Sequence, residues 1–202
     1  MIEALLFDVG EVLIRLDPTR LTAALSATEE SSKGDTLHNL GSWEPYDRFE
    51  RGSIGSLEFF EAAKIKLGRV VSWEAFLELW DSVLVEECAG VKPLLERLRK
   101  RYRLFGLSNS NPLHIDYAMR KFPCLSQLER LFTSYEIGAR KPEKKAFDFV
   151  LHQIKIPAGR VLFFDDRPEN VEAARALGMV AELVVSSESD LERSLKKHGV
   201  LY

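Results

Sequence analysis

Cysteine is scarce in this chain, with two residues, Cys88 and Cys124, among 202. They form no CxxC pair and belong to no His/Cys cluster, which excludes a disulfide framework and a zinc-type ligand set. Both are expected to be reduced, structural thiols of a cytoplasmic protein. Long apolar runs are missing too: none reaches the roughly 20 residues that a membrane-spanning helix needs. Positive charge is not in excess. With 28 Lys and Arg against 31 Asp and Glu the net charge is −3, so the chain encodes no basic stripe for nucleic acid. The run Arg97, Arg99, Lys100, Arg101 and Arg103 is a local exception. It closes a helical pattern and reads as its solvated end, where cations suit the helix dipole. The sequence opens on apolar, strand-like Ile2–Phe7 with no basic segment ahead of it, so a secretory signal is not expected. Internal repeats and low-complexity tracts are absent.

Two different patterns fill the chain. Ala4–Val9 is a short, continuous apolar run, the mark of a strand buried on both faces. Residues 16–87 then carry apolar side chains at helical spacing: Leu21, Ala24 and Leu25; Phe59, Phe60, Ala63 and Leu67; Trp73, Phe76, Leu77, Trp80 and Leu84. Turn signals at Ser31–Gly34, Gly52–Gly55 and Gly68 break this helical stretch. From about Gly90 helix and strand patterns alternate, with strands predicted at Leu104–Leu107, Leu131–Ser134, Val161–Phe164 and Val180–Val185. Strands alternating with helices predict an α/β fold, a doubly wound parallel sheet. Residues 1–15 and 88–202 are expected to form this core. Residues 16–87 are expected to form an inserted, all-helical cap over the sheet edge.

Three polar islands fall where these strands give out, and a fourth, at Lys141, follows the strand-like run Leu131–Ser134. Asp8 follows the first strand, and a carboxylate there can attack phosphorus as a nucleophile; Asp is equally common as a turn residue. Ser108 and Asn109 follow Leu104–Leu107 and can donate to phosphoryl oxygens, or simply form a polar turn ahead of Pro112. Lys141, before Pro142, is a point cation that can neutralise a phosphoryl group, or an ordinary loop lysine. Asp165 and Asp166 follow Val161–Phe164, where a helix cap before Pro168 is the plainer reading. Read together, the three acids would repel one another and raise their pKa values. A hard cation such as Mg²⁺, which takes one or two carboxylates plus water and phosphate oxygens, removes that conflict. Ligands of open α/β sheets bind just beyond the carboxyl ends of the strands. A nucleophile, a hydroxyl, a cation and paired acids at one edge describe a phosphoryl-transfer site.

In order and spacing, over essentially the whole chain, the set Asp8, Ser108-Asn109, Lys141-Pro142 and Asp165-Asp166 resembles the haloacid dehalogenase-like superfamily of hydrolases. The segments Trp43–Gly52 and Ser108–Asn111 are most similar to the subgroup that includes bacterial glucose-1-phosphate phosphatases and the N-terminal phosphatase domain of epoxide hydrolases. The resemblance implies Asp8 as nucleophile and Mg²⁺ ligand, with the Gly10 carbonyl, Asp165 and Asp166 completing the metal site. It implies that Ser108, Asn109 and Lys141 hold the transferred group, and that Asn170 braces the metal loop. The substrate would be a small phosphorylated metabolite, with no nucleic acid or membrane partner.

One position departs from the pattern. Phosphatases of this superfamily usually carry a second aspartate two residues after the nucleophile, as general acid and base. Gly10 stands there, followed by Glu11, so Glu11 or a residue of the helical insert must take that part or it goes unfilled. The competing readings are a 2-haloacid dehalogenase, which attacks carbon, and a non-catalytic relative that has kept the fold. Substrate selection is expected from Arg15, Arg20, Trp43, Tyr46, Arg48 and Arg51. His114, two residues past Pro112, is expected on a helix surface, with a place facing the site as the alternative.

Overall fold

The computed structural model describes residues 1–26, 43–68, 70–185 and 188–201. The turn expected at Ser31–Gly34 lies outside them. A five-stranded, wholly parallel sheet forms the centre, in the order β5-β4-β1-β6-β7. Its strands are β1 (Ala4–Phe7), β4 (Arg103–Ser108), β5 (Arg130–Thr133), β6 (Val161–Asp165) and β7 (Val180–Leu183). Alternate residues of a strand point to opposite faces, and the packing follows that period. Leu5, Phe7, Leu162 and Phe164 join one apolar cluster, while Ala4, Leu6, Val161 and Phe163 join another. Covering both faces is why the central strands read as unbroken apolar runs. Phe7 and Phe164 stack across the β1–β6 pair at 5.2 Å.

Helices α5 (Val91–Leu98), α6 (Pro112–Lys121), α8 (Lys144–Ile154) and α9 (Pro168–Ala176) link the strands, a short α7 (Ser134–Ile137) follows β5, and α10 (Glu188–Lys197) follows β7. The basic run overshoots α5: Arg99, Lys100, Arg101 and Arg103 lie exposed beyond its end, with Arg103 paired to Glu129. The strand order places β1 between β4 and β6, so the chain's direction of travel across the sheet reverses there. That is the switch point at which open α/β sheets gather their ligands.

Between β1 and β4 stands the helical segment: α1 (Thr19–Ser26), α2 (Glu44–Glu50), α3 (Ser56–Leu67) and α4 (Trp73–Asp81). It has an aromatic cluster of its own around Phe49, Phe59, Phe76 and Trp80. Phe49 and Phe59 stack at 4.3 Å. Residues 16–87 are not wholly helical, however. Leu84, which continues the helical spacing of α4, begins strand β3 (Leu84–Glu87), and β3 pairs antiparallel with β2 (Ile14–Leu16). A separate ribbon thus joins the helical segment to the sheet. Gly52, just after α2, has φ 66° and a Cβ there would lie 2.3 Å from the Tyr135 carbonyl oxygen. Only glycine permits that approach of α2 to α7.

Candidate active site

Asp8, Ser108, Lys141, Asp166 and Asn170 line one cavity of about 380 Å³ at the carboxyl edge of the sheet. Its walls also include Gly10, Glu11, Tyr46, Glu50, His114, Arg140 and Arg167. The β-ladder sets the spacing: the Asp8 N–H donates to the Phe164 carbonyl at 2.8 Å, which ties the nucleophile candidate to the strand that ends in Asp165.

Lys141 is the hub. Its Nζ lies 2.8 Å from Asp8 Oδ1 and 2.7 Å from Asp165 Oδ2, and all three side chains are buried. Asp8 Oδ1 also accepts from the Val9 N–H at 2.6 Å. Asp165 Oδ1 accepts from the Arg167 N–H and from Asn170 Nδ2, at 2.9 and 2.8 Å. Both oxygens of Asp165 are therefore committed to protein donors, whereas Asp8 Oδ2 carries no hydrogen bond among the described residues. Burial pushes the Asp8 carboxyl up to about 7, with Lys141 pulling it down and Asp165 pushing it up. Burial and the neighbouring Asp165 charge also raise half-buried Asp166. For Lys141, burial works against the ammonium, but Asp8 and Asp165 outweigh it and hold the group above its ordinary range.

Asp8, Asp165 and Asp166 each offer a carboxylate oxygen, all within 4.8 Å of one another. The buried Asn170 Oδ1, on the same cavity, has no hydrogen-bond partner. An all-oxygen donor set with unbalanced negative charge fits a hard divalent cation.

Asn109 is placed differently from the other islands. Its Nδ2 donates to the Lys141 carbonyl and its Oδ1 accepts from the Lys141 N–H, both at 2.8 Å. The side chain thus clamps the lysine's backbone, and the residue also lines the cavity. Ser134, which the sequence did not single out, braces the same loop: its Oγ accepts from the Ser110 N–H and donates to the Ser110 carbonyl, both at 3.0 Å.

Gly10 does not have a positive φ; the left-handed residue of this turn is Glu11, at φ 57°. Glu11 Oε1 accepts from the Leu16 N–H at 2.8 Å, which anchors the start of the ribbon. His114 is half-buried and lines the cavity. Its ring stacks on Trp80 of α4 at 5.0 Å. Nε2–H donates to the Trp80 carbonyl at 3.0 Å and Nδ1 accepts from Asn111 Nδ2 at 3.2 Å. Burial brings its pKa down to about 4, so the ring is a neutral joint between α6 and the helical segment.

Of the cations and aromatics expected to select substrate, only Tyr46 lines the cavity. Arg15 pairs with Glu86, Arg20 with Glu78 and Arg48 with Glu44 and Glu58, all in exposed positions. Trp43 packs on Phe59. Arg51 bridges Asp47 and Glu143. The sequence reading missed Glu50, only 3% exposed, and Arg140. A signal existed: Glu50 stands one helical turn after Tyr46, and Tyr46 Oη donates to Glu50 Oε1 at 2.6 Å.

A family model for haloacid dehalogenase-like hydrolases matches residues 2–178. A D-ribitol-5-phosphate phosphatase of Bacteroides thetaiotaomicron is 26% identical over 187 residues, 88% of this chain and 89% of that one. A sesquiterpene phosphatase of Aspergillus oryzae is 29% identical over 180 residues, 88% of this chain and 87% of its own. The crystal structure of a HAD family enzyme from Bacteroides thetaiotaomicron, in complex with magnesium and inorganic phosphate, superposes with a TM-score of 0.82 at 27% identity, over 93% of this chain and 96% of that one. The chain belongs to the haloacid dehalogenase-like hydrolases.

Proposed function

We propose that this protein is a Mg²⁺-dependent phosphatase that hydrolyses a small phosphomonoester through an aspartyl-phosphate on Asp8. The observation that carries the reading is the buried Asp8–Lys141–Asp165 relay, with Asp8 Oδ1 held by two donors and its other oxygen left to face the cavity. In the first step Asp8 Oδ2 attacks phosphorus and the bond to the alcohol oxygen breaks, the leaving oxygen taking its proton from solvent water because Gly10 offers no acid. In the second, water attacks the same phosphorus and the bond to Asp8 breaks, releasing inorganic phosphate. Lys141 orients the nucleophile and neutralises the transferred group, with Ser108 Oγ and the main chain at Asn109 donating to its oxygens. Asn109 fixes Lys141 from behind. Asp8, the Gly10 carbonyl and Asp166 would hold Mg²⁺, with Asp165 and Asn170 supporting them from the loop. The bound cation supplies positive charge against the phosphoryl oxygens. The helical segment serves as a cap that shields these steps from bulk water. The relatives named as phosphatases, and the magnesium and phosphate held by a similar HAD family structure, support this reading.

The test is phosphate release from a panel of sugar phosphates, polyol phosphates, nucleotides and aryl phosphates, with Mg²⁺ and with EDTA. Turnover is expected only with Mg²⁺ and to return on its addition. Full activity in EDTA would overturn the reading and favour attack on carbon, which needs no metal.

Gly10→Asp gives a second expected result. A Cβ at Gly10 would come 2.9 Å from Leu16 Cδ1, the tip of a flexible side chain, and the backbone there is not left-handed. The variant should therefore fold, with Leu16 turned aside. It adds the missing acid–base group, and general catalysis is typically worth about 10²–10⁴-fold. An imperfectly placed aspartate is expected to raise kcat for alkyl phosphates by about tenfold, and that for p-nitrophenyl phosphate, whose leaving group needs no proton, much less. A normally melting variant with unchanged Mg²⁺ affinity and a much lower kcat would show that another group already fills the role.

A further inference from the structure

Helix α2 of the helical segment is bound by charge to the loop that carries Lys141. Arg140, the residue before Lys141, reaches two acids of α2. Its Nη1 donates to Asp47 Oδ1 at 2.9 Å, and its Nη2 lies 2.9 Å from Glu50 Oε2. Tyr46 Oη donates to the other Glu50 oxygen at 2.6 Å. On the far side of Lys141, Glu143 accepts from Arg51 Nη2 at 2.6 Å, and Arg51 Nε turns back to Asp47 at 2.9 Å. Lys141 therefore stands between two residues tied to the helical segment, while Asn109 clamps its own backbone from the end of β4. The Glu50–Arg140 pair is largely buried. Such a pair is a weak source of stability, since apolar side chains of similar volume often serve as well, and its best-attested use is to fix register. The buried Arg140 Nε has no hydrogen-bond partner, a cost that this arrangement carries rather than relieves.

We propose that Glu50 is a positioning residue: through Arg140 it sets the place of Lys141 against Asp8 and the transferred phosphoryl group, so that α2 belongs to the catalytic platform. The proposal rests on the phosphatase reading above. Neighbouring Cα atoms are about 3.8 Å apart, so a guanidinium that loses its anchor lets the next residue move with it. A misplacement of about 1 Å from a change outside the chemistry can cost about 10²-fold in rate. Glu50 Oε2 is buried and already committed to Arg140, so its effect reaches the reaction through the protein and not through contact with the substrate. The loss on removing it should fall on the phosphoryl half, which every ester shares.

The test is a double-mutant cycle of Glu50→Gln, Arg140→Gln and the two together. Steady-state rates are measured in Mg²⁺ on p-nitrophenyl phosphate and on alkyl phosphates of increasing bulk, well below the melting temperature of each variant. Each single variant is expected to lower kcat by about 10–100-fold, by the same factor on every ester, with KM changed less than about threefold. The double variant should be no slower than the slower single one, because the two side chains act as a unit. Arg140→Lys, which keeps the charge, should retain more of the rate than Arg140→Gln. Asp47→Asn covers the case in which the buried variants fold poorly: Asp47 is partly exposed, and losing this second anchor should lower kcat about threefold at unchanged KM. A loss seen only in melting temperature, a loss that varies with the ester or falls on KM alone, additive losses in the cycle, or an unchanged kcat in Asp47→Asn would each overturn the positioning role. A wild-type protein that releases phosphate from no ester would instead overturn the phosphatase reading, and this role with it.

Discussion

Asp8→Asn is expected to lower kcat by at least about 10³-fold, the usual scale for removing a covalent nucleophile, and to leave the fold intact. An amide has nearly the shape of a carboxylate, and its oxygen can still accept from the Val9 N–H and from Lys141. It cannot attack phosphorus, and it is a poor ligand for a hard cation. Stability should move the other way in metal-free protein. Burial raises the Asp8 carboxyl from an ordinary 3.8 to about 7, so the folded state holds a proton that the unfolded state gives up. A raised folded pKa contributes stability below the unfolded value and loses it as pH rises towards the folded one. At pH 8 in EDTA the ionised Asp8 is a net cost, and Asp8→Asn should melt at or above wild type. Melting curves at pH 5 and 8, with kcat from the same preparation, check both halves. A variant that keeps more than a few per cent of wild-type turnover would remove Asp8 from the chemistry.

Lys141→Met should be as damaging to the rate and far worse for the fold. Lys141 is buried between two buried carboxylates, at 2.8 and 2.7 Å. Removing one partner of a buried ion pair costs about 3–5 kcal/mol, because the surviving charge is left uncompensated. Here two carboxylates are stranded, each of which can escape by taking up a proton or by sharing a divalent cation. The loss of melting temperature should therefore be greatest at pH 8 in EDTA, and should shrink at pH 5.5 or with Mg²⁺. Turnover should fall by about 10³-fold or more under all conditions, since neither proton nor metal replaces the ammonium that faces the phosphoryl group. A variant as stable as wild type at pH 8 without metal would mean that the acids are relieved by some other group.

The sequence made the central sheet legible because β1, β4 and β6 are buried on both faces, and such strands can only be written as unbroken apolar runs. Their ends were legible for the same reason: a polar residue directly after such a run has nowhere to go but the sheet edge. The ribbon of β2 and β3 was not legible. Each strand has three or four residues, and Leu84 fits the apolar spacing of the helix before it, so only the pairing across the chain decides its conformation. The site divided along similar lines. Asp8, Ser108, Lys141, Asp165 and Asp166 converge as their positions suggest. Residue type alone could not say that the Asn109 amide is spent on the Lys141 backbone. Nor could it foresee that Arg15, Arg20, Arg48 and Arg51 each find an acid outside the cavity, whereas Glu50 reaches the cavity wall and meets Arg140. Those outcomes depend on contacts between segments far apart in sequence, which local pattern does not encode.

The central claim is that the phosphoryl group passes through Asp8. The most direct measurement is an acid quench of wild-type protein turning over a phosphomonoester in Mg²⁺, followed by peptide mapping. The account predicts a phosphoryl adduct on the peptide that contains Asp8, lost as free phosphate when the reaction is chased before quenching, and absent from Asp8→Asn. Steady turnover with no adduct at Asp8 under conditions that trap acyl phosphates, or an adduct on any other residue, would contradict it.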